Sequence, residues 1–304
     1  MLVSMGCCAG DWQSTVIADM PTQIYLPSTP AKVASGRALM VSLGGCGQQD
    51  ADDTEFRDQS NWPATADEYG MVVAIPNAPD EGVTWAGCWD YYKSDHSRST
   101  RHDDNLLQLV AELIGRAQLN IDPNQVYISG LSSGGGMVNV LLCLAPELFA
   151  GGGIAAGPAL GSSMWQTRKV AVSVEQVVAG CRTLAGSQAE ALQTQIAAIV
   201  WGDQDSLAAP GYAEVSAAAY AQLYGATKNA AVTAVPGVKL NGLQESWSDS
   251  RGPRVLAITI AGLGHAWPAG GGSGASKYMD NSSINFPRVL TDFLFANNRR
   301  VQKP

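Results

Sequence analysis

The stretch at residues 126–137, VYISGLSSGGGM, limits what this chain can fold into more than any other. Val126, Tyr127 and Ile128 form the kind of run that makes a buried strand, and Met137, Val140, Leu141 and Leu144 then repeat at helical spacing. Between them lie Gly130, Ser132, Gly134, Gly135 and Gly136. A strand that turns this abruptly into a helix needs residues without a Cβ around the turn, because side chains would collide there. Such a turn also holds Ser132 out of the backbone, as a serine hydroxyl must be held to act as a nucleophile beside a base. A glycine turn that only packs a helix onto a sheet is the plainer alternative. With 33 glycines in the chain, the string alone does not separate the two readings.

Further strands are read at 23–26, 38–43, 71–75, 150–156, 196–201, 232–235, 244–247 and 255–260. Helical patterns are read at 62–69, 103–114, 212–223 and 284–295. Asp103 and Asp104 open the second of these helices, where their charge suits a helix N-terminus. Strands that alternate with helices predict an α/β fold with a mostly parallel central sheet and helices on both faces. The 304 residues show no repeat and no Pro/Ser-rich linker, so 1–304 reads as a single domain. Residues 158–195, with a helical piece at 174–178, read as an insertion of the kind that forms a cap or lid. Residues 1–22 offer little beyond Cys7 and Cys8, which either pair with each other or pack.

Composition narrows the function. Asp and Glu number 27 against 19 Lys and Arg, giving a net charge of -8 with no basic cluster, which disfavours a nucleic acid partner. No apolar run approaches a membrane span, and the first residues lack the pattern of a secretory leader. Six cysteines with few charges point to an exported protein, extracellular or periplasmic, whose leader is not in this sequence. No C-x-x-C occurs and the histidines are only three, His96, His102 and His265, so no metal site is expected. The reading requires no cofactor and leaves the oligomeric state open.

In a parallel sheet, functional residues gather on loops at the carboxyl ends of strands. Ser132, the turn 202–205 and His265 all follow strands. The α/β-hydrolase order is Ser, then Asp or Glu, then His, and His265 is the one histidine after Ser132. Asp203 and Asp205 are both candidates for the acid. Asp205, deeper in its loop, is preferred, with Asp203 left to stabilise the turn. The acid would fix the imidazole tautomer and stabilise the imidazolium. The turn at 44–47, after an early strand, is where such a fold places a backbone N–H for the oxyanion; it is equally an ordinary strand-end turn. The aromatic residues at 85–92 either line a cleft or form a satellite core.

These residues resemble the polyhydroxybutyrate depolymerase and related esterase family of the α/β-hydrolase superfamily, with its feruloyl- and acetylxylan-esterase-like relatives. The resemblance runs over about 23–295. It is carried by LGGCGQ at 43–48, GCWDYY at 87–92, the GLSSGG elbow, WGDQD at 201–205 and GLGHAWPAGG from Gly262. It implies Ser132 as nucleophile, Asp205 as acid and His265 as base, with the amides of Cys46 and Ser133 as the oxyanion hole. The family commonly writes H-G-C where this chain has Gly44, so one supporting side chain is missing. The resemblance further implies a Cys46–Cys88 disulfide. It places Trp85 as an aromatic wall of the substrate cleft, and Trp267 either beside it or packed away. Cys143 and Cys181 are a further candidate pair.

The expectation is therefore a secreted serine esterase acting on polyester, poly(3-hydroxybutyrate) or its oligomers, by an acyl-enzyme mechanism. No separate polymer-binding domain is read in the chain. One alternative keeps the chemistry and moves the substrate to feruloyl or acetyl esters of plant polysaccharide. Another is a non-catalytic binding protein that keeps the hydrolase fold.

Overall fold

The computed structural model describes residues 10–48, 55–79, 87–100 and 102–301. One sheet contains β1 (Asp11–Ile17), β2 (Met20–Leu26), β3 (Arg37–Leu43), β4 (Val72–Pro76), β5 (Ile121–Leu131), β6 (Gly151–Ala155), β7 (Ile196–Gly202), β8 (Thr227–Lys228), β9 (Thr233–Val235), β10 (Gly242–Asp249) and β11 (Gly252–Ile260). Its order is β1-β2-β4-β3-β5-β6-β7-β11-β10-β8, with β9 also on β10. From β4 across to β11 the strands run parallel, and antiparallel strands finish both edges. A small parallel pair, β12 (Trp267–Pro268) and β13 (Met279–Asp280), stands apart from it. The helices are α1 (Glu55–Gln59), α2 (Trp62–Tyr69), α3 (Asp103–Gly115), α4 (Ser133–Leu144), α5 (Val174–Ala185), α6 (Gly211–Leu223) and α7 (Phe286–Asn297).

The central strands are apolar on both sides, and their alternation divides the interior in two. Leu39, Val41 and Leu43 of β3, with Val126 and Ile128 of β5, face a core shared with α3, α4, α5 and α6. Met40 and Tyr127, one residue out of phase, face the core that holds α2 and α7. All twelve residues of α4 are buried, so the helix after Ser132 lies inside the molecule.

β1 is absent from the sequence reading. Its DWQSTVI run is largely exposed and only Ile17 is buried, so hydrophobic alternation gives little sign of it. Register pairing along its full length with β2 forms the strand.

Within 158–195, α5 belongs to the helical layer and is joined to α4 by the Cys143–Cys181 disulfide. Its start is capped by Ser173, whose hydroxyl accepts the Gln176 amide while the Gln176 side chain accepts the Ser173 amide. The irregular part that precedes it approaches the carboxyl ends of the parallel strands. No described helix is long and apolar enough to cross a membrane.

Candidate active site

Ser132 stands between the end of β5 and the first turn of α4 with φ 55° and ψ −118°. That is a strained conformation for a residue with a side chain, and its neighbours enforce it. The Ser132 amide donates to the Ala155 carbonyl at 2.9 Å, and its carbonyl accepts from Gly136 at 2.9 Å. A Cβ on Gly134 would lie 2.5 Å from the Leu43 carbonyl oxygen, so only glycine lets α4 start this close to β3.

The loops that carry Asp205 and His265 are knitted into one unit. The Asp203 amide donates to the Ile260 carbonyl at 3.1 Å, that of Gln204 to Leu263 at 3.0 Å, and that of Gly262 to Asp203 Oδ1 at 2.8 Å. A Cβ on Gly202 would fall 2.0 Å from the Leu263 oxygen, which explains a glycine at the end of β7. From this unit His265 Nδ1 meets Asp205 Oδ2 at 2.7 Å, with both side chains nearly buried. Asp205 Oδ1 accepts the Leu207 and Ala208 amides, each at 2.8 Å, which fixes the carboxylate's direction. With Nδ1 turned to a carboxylate, the other ring nitrogen is available as an acceptor. Tyr278 stands edge-on to the imidazole at 6.1 Å between centroids.

On the other side of Ser132, the turn after β3 is held from three directions. Cys46 is bonded to Cys88. The Gly45 amide donates to Gln48 Oε1 at 2.9 Å. The buried Trp89 indole donates to the Gly44 carbonyl at 3.1 Å, while the Trp89 amide donates to Ser133 Oγ at 3.3 Å. The Cys88-Trp89 dipeptide therefore ties the β3 turn to the start of α4. Ser133 carries the first amide of that helix, which has no acceptor within the helix.

Ser132, Ser133, Cys46 and His265 line one cavity of about 390 Å³, within the range of small-molecule sites. Its remaining walls are mainly apolar and aromatic, including Leu131, Met164, Tyr91, Tyr92 and Tyr278. Burial, with Tyr212 and Tyr92 nearby, holds the Tyr91 hydroxyl well above its ordinary pKa; burial and the Asp90 charge raise that of Tyr92. Both phenols are thus neutral donors at neutral pH. The Ser132 hydroxyl makes no hydrogen bond among the described residues, an arrangement that tightens in many enzymes only when substrate arrives. Among the described residues no group of three or more His, Cys, Asp or Glu side chains converges on a metal position.

The structure thus gathers Ser132, His265 and Asp205 at the ends of β5, β11 and β7, with Cys46 and Ser133 beside them. Trp267 requires a correction. It is fully buried, lies against Phe56, Trp62 and Phe286, and donates its indole N–H to the Ser60 carbonyl at 3.0 Å. It packs the α2–α7 core and does not line the cavity, because it opens β12 and turns inward two residues after His265. Trp85, Cys7 and Cys8 lie outside the described residues. Of the aromatic residues at 85–92, read as cleft or satellite core, Tyr91 and Tyr92 line the cavity and Trp89 is buried, whereas Gln48 was given no role although it sits inside a motif singled out. Sequence reasoning also missed Tyr278 and Arg168 of the cavity wall, for which no spacing or motif gives a sign.

A parallel sheet with a strained serine turn and an Asp–His pair at its carboxyl edge defines an α/β-hydrolase. The chain belongs to the Esterase PHB depolymerase family, whose model matches residues 21–238, and this is a family of carboxylic ester hydrolases. It is 40% identical to the poly(3-hydroxybutyrate) depolymerase of Ralstonia pickettii over 91% of this chain and 58% of that protein. It is 29% identical to feruloyl esterase B of Neurospora crassa over 52% of each protein. The chain thus spans little more than half the length of these relatives. Among solved structures, the acetyl xylan esterase from Aspergillus awamori superposes with a TM-score of 0.63 at 19% identity, over 84% of this chain and 94% of that one, a likeness of fold.

Proposed function

We propose that this chain is a serine esterase that hydrolyses polyester, with poly(3-hydroxybutyrate) and its oligomers as substrate. The observation that carries the chemistry is a single cavity bearing both Ser132 and His265, with the far nitrogen of His265 held by Asp205 at 2.7 Å. The choice of polyester is supported by the 40% identity to a poly(3-hydroxybutyrate) depolymerase over most of this chain. The apolar, tyrosine-lined walls agree with it, since a chain of short hydroxyacyl units offers methyl groups and carbonyls but no sugar hydroxyls.

In this mechanism the Ser132 oxygen attacks the ester carbonyl carbon and passes its proton to His265. The carbonyl oxygen becomes an oxyanion that accepts from the amides of Cys46 and Ser133; one such donor is worth about 3 kcal/mol in known cases. The carbon–oxygen bond to the alcohol then breaks, and the imidazolium returns its proton to the departing oxygen. Water, losing a proton to His265, attacks the acyl-enzyme and releases the acid together with free Ser132. Residues 1–304 act in this reading as one catalytic unit, and the segment around 158–169 is the rim of its cavity. Two disulfides suit an extracellular or periplasmic location.

The test is release of 3-hydroxybutyrate from amorphous polymer by the native chain and by Ser132→Ala, with a short p-nitrophenyl ester as control. Hydroxybutyrate release that vanishes in the variant is the expected result. Serine-dependent cleavage of the small ester, with no action on polymer or oligomer, overturns the polyester assignment. Ferulate or acetate release from polysaccharide esters would then identify the alternative class.

A further inference from the structure

We infer that Arg168 receives the free carboxylate of an acid-terminated hydroxyacyl oligomer, on the side of the departing hydroxyacid. The inference rests on the polyester reading of the Ser132 site and adds to it a point of recognition.

Arg168 lines the same cavity as Ser132 and His265. No carboxylate belongs to that wall among the described residues, although the chain has 27 acidic residues against 19 basic ones. Asp205 is close, but its oxygens are turned to His265 and to the Leu207 and Ala208 amides. Among the described residues of the lining, which is largely apolar and aromatic with Gln48, Thr167, the two serines and His265 as its other polar members, Arg168 is the one that carries a permanent charge.

The backbone that carries it is pinned on both sides. The Thr167 carbonyl accepts the Ala209 amide at 2.8 Å, and the Tyr212 hydroxyl reaches the carbonyls of Gln166 and Lys169, each at 2.9 Å. The guanidinium itself has no hydrogen-bond or ion-pair partner among the described residues. Arg168 is exposed at the cavity rim on backbone that is held in place, and an uncommitted planar fork there suits the two oxygens of a carboxylate.

Ester chemistry indicates where such a carboxylate comes from. In an oligomer of hydroxyacids the alcohol that leaves Ser132 is itself an acid, so the molecule ends in a carboxylate on the leaving-group side. In an acylated polysaccharide the leaving alcohol is a neutral sugar, and Arg168 gains nothing. Arg168 therefore separates the two substrate classes and measures the cut from the acid end.

The experiment compares the linear trimer of 3-hydroxybutyrate as free acid and as methyl ester. Each is given to the native chain, to Arg168→Gln and to Lys277→Gln, at low and high salt. Lys277 lies 4.8 Å over the Tyr278 ring, outside the cavity lining, and controls for charge in general. The native chain is expected to favour the acid through KM. Arg168→Gln should lower the acid-to-methyl-ester ratio of kcat/KM about five- to tenfold and blur the ratio of monomer to dimer products. Salt should shrink the native preference, as for any partly exposed charge pair. Lys277→Gln should keep the ratio. A native chain indifferent to the acid group, or an Arg168→Gln variant that slows both trimers equally, overturns the inference while polyester cleavage stands. Cleavage of the p-nitrophenyl ester with neither trimer turned over removes the polyester reading and this inference with it.

Discussion

His265 meets Asp205 at 2.7 Å and His96 meets Asp103 at 3.0 Å, and the two imidazoles are almost equally buried, at 7% and 6% side-chain exposure. Both carboxylates are engaged by backbone amides as well, Asp205 by Leu207 and Ala208, Asp103 by Ser97. The difference lies across the ring. His265 borders the cavity, whereas the second nitrogen of His96 lies 3.1 Å from the Tyr91 carbonyl. Both nitrogens of His96 therefore face acceptors, which calls for a proton on each. An aspartate behind a histidine is common to a base and to a structural tie; His265 is proposed as the base because its ring borders the cavity that Ser132 also lines.

This contrast can be broken by substitution. The largest effect is expected at His265→Ala, which should lower kcat on a soluble ester by about 10⁵- to 10⁶-fold and leave the melting temperature nearly unchanged. Asp205→Asn should follow with a loss of about 10⁴ in kcat, because the amide still accepts the Leu207 and Ala208 N–H groups but favours the wrong imidazole tautomer. Asp103→Asn should invert the pattern. It leaves a buried ring partly unpaired, so urea titration should read a loss of about 3 kcal/mol, with kcat of the folded fraction within about threefold of native. If Asp103→Asn instead removes activity without loss of stability, the two pairs have been distinguished wrongly.

The smallest effect is a slope with pH. Burial pushes the His96 imidazolium towards neutrality, but the Asp103 hydrogen bond and charge, with the Tyr91 carbonyl, hold its pKa above the ordinary value. A histidine pKa raised in the folded state stabilises fully below the unfolded value of about 6.5, and that contribution is lost as pH climbs through the folded value. Melting temperatures measured from pH 6 upward should therefore fall in the native chain, with part of that fall missing in His96→Gln.

Much of the site could be read in the chain because hydrolase chemistry depends on order. Ser132, Asp205 and His265 each follow a strand whose apolar run is visible, and one histidine comes after the serine, so the choice that remained was between Asp203 and Asp205. The positions that escaped are those whose meaning lies in what packs against them. Asp103 reads as a helix-opening charge, yet its side chain is buried against His96 because the loop before α3 folds back over it. Trp267, two residues after His265, reads as either a cleft residue or a packed one and is core, where it opens β12 in its pairing with β13. Arg168 sits on irregular backbone, where no periodicity reports which way a side chain turns. The architecture was clear in the central strands and faint at β1, because burial leaves a pattern in sequence and edge pairing leaves much less.

The two disulfides have a consequence for how the molecule is made. Cys46 joins Cys88 and Cys143 joins Cys181, and no other cysteine lies between either pair of partners. A chain delivered from its N-terminus into an oxidising space would meet each partner as the next thiol to emerge. The first bond can close before the second pair has emerged, so neither has to open again for the other to form. His265 arrives after both. The scaffold around Ser132 can thus be covalently fixed while the chain still lacks His265, and in the proposed mechanism hydrolytic power would come last.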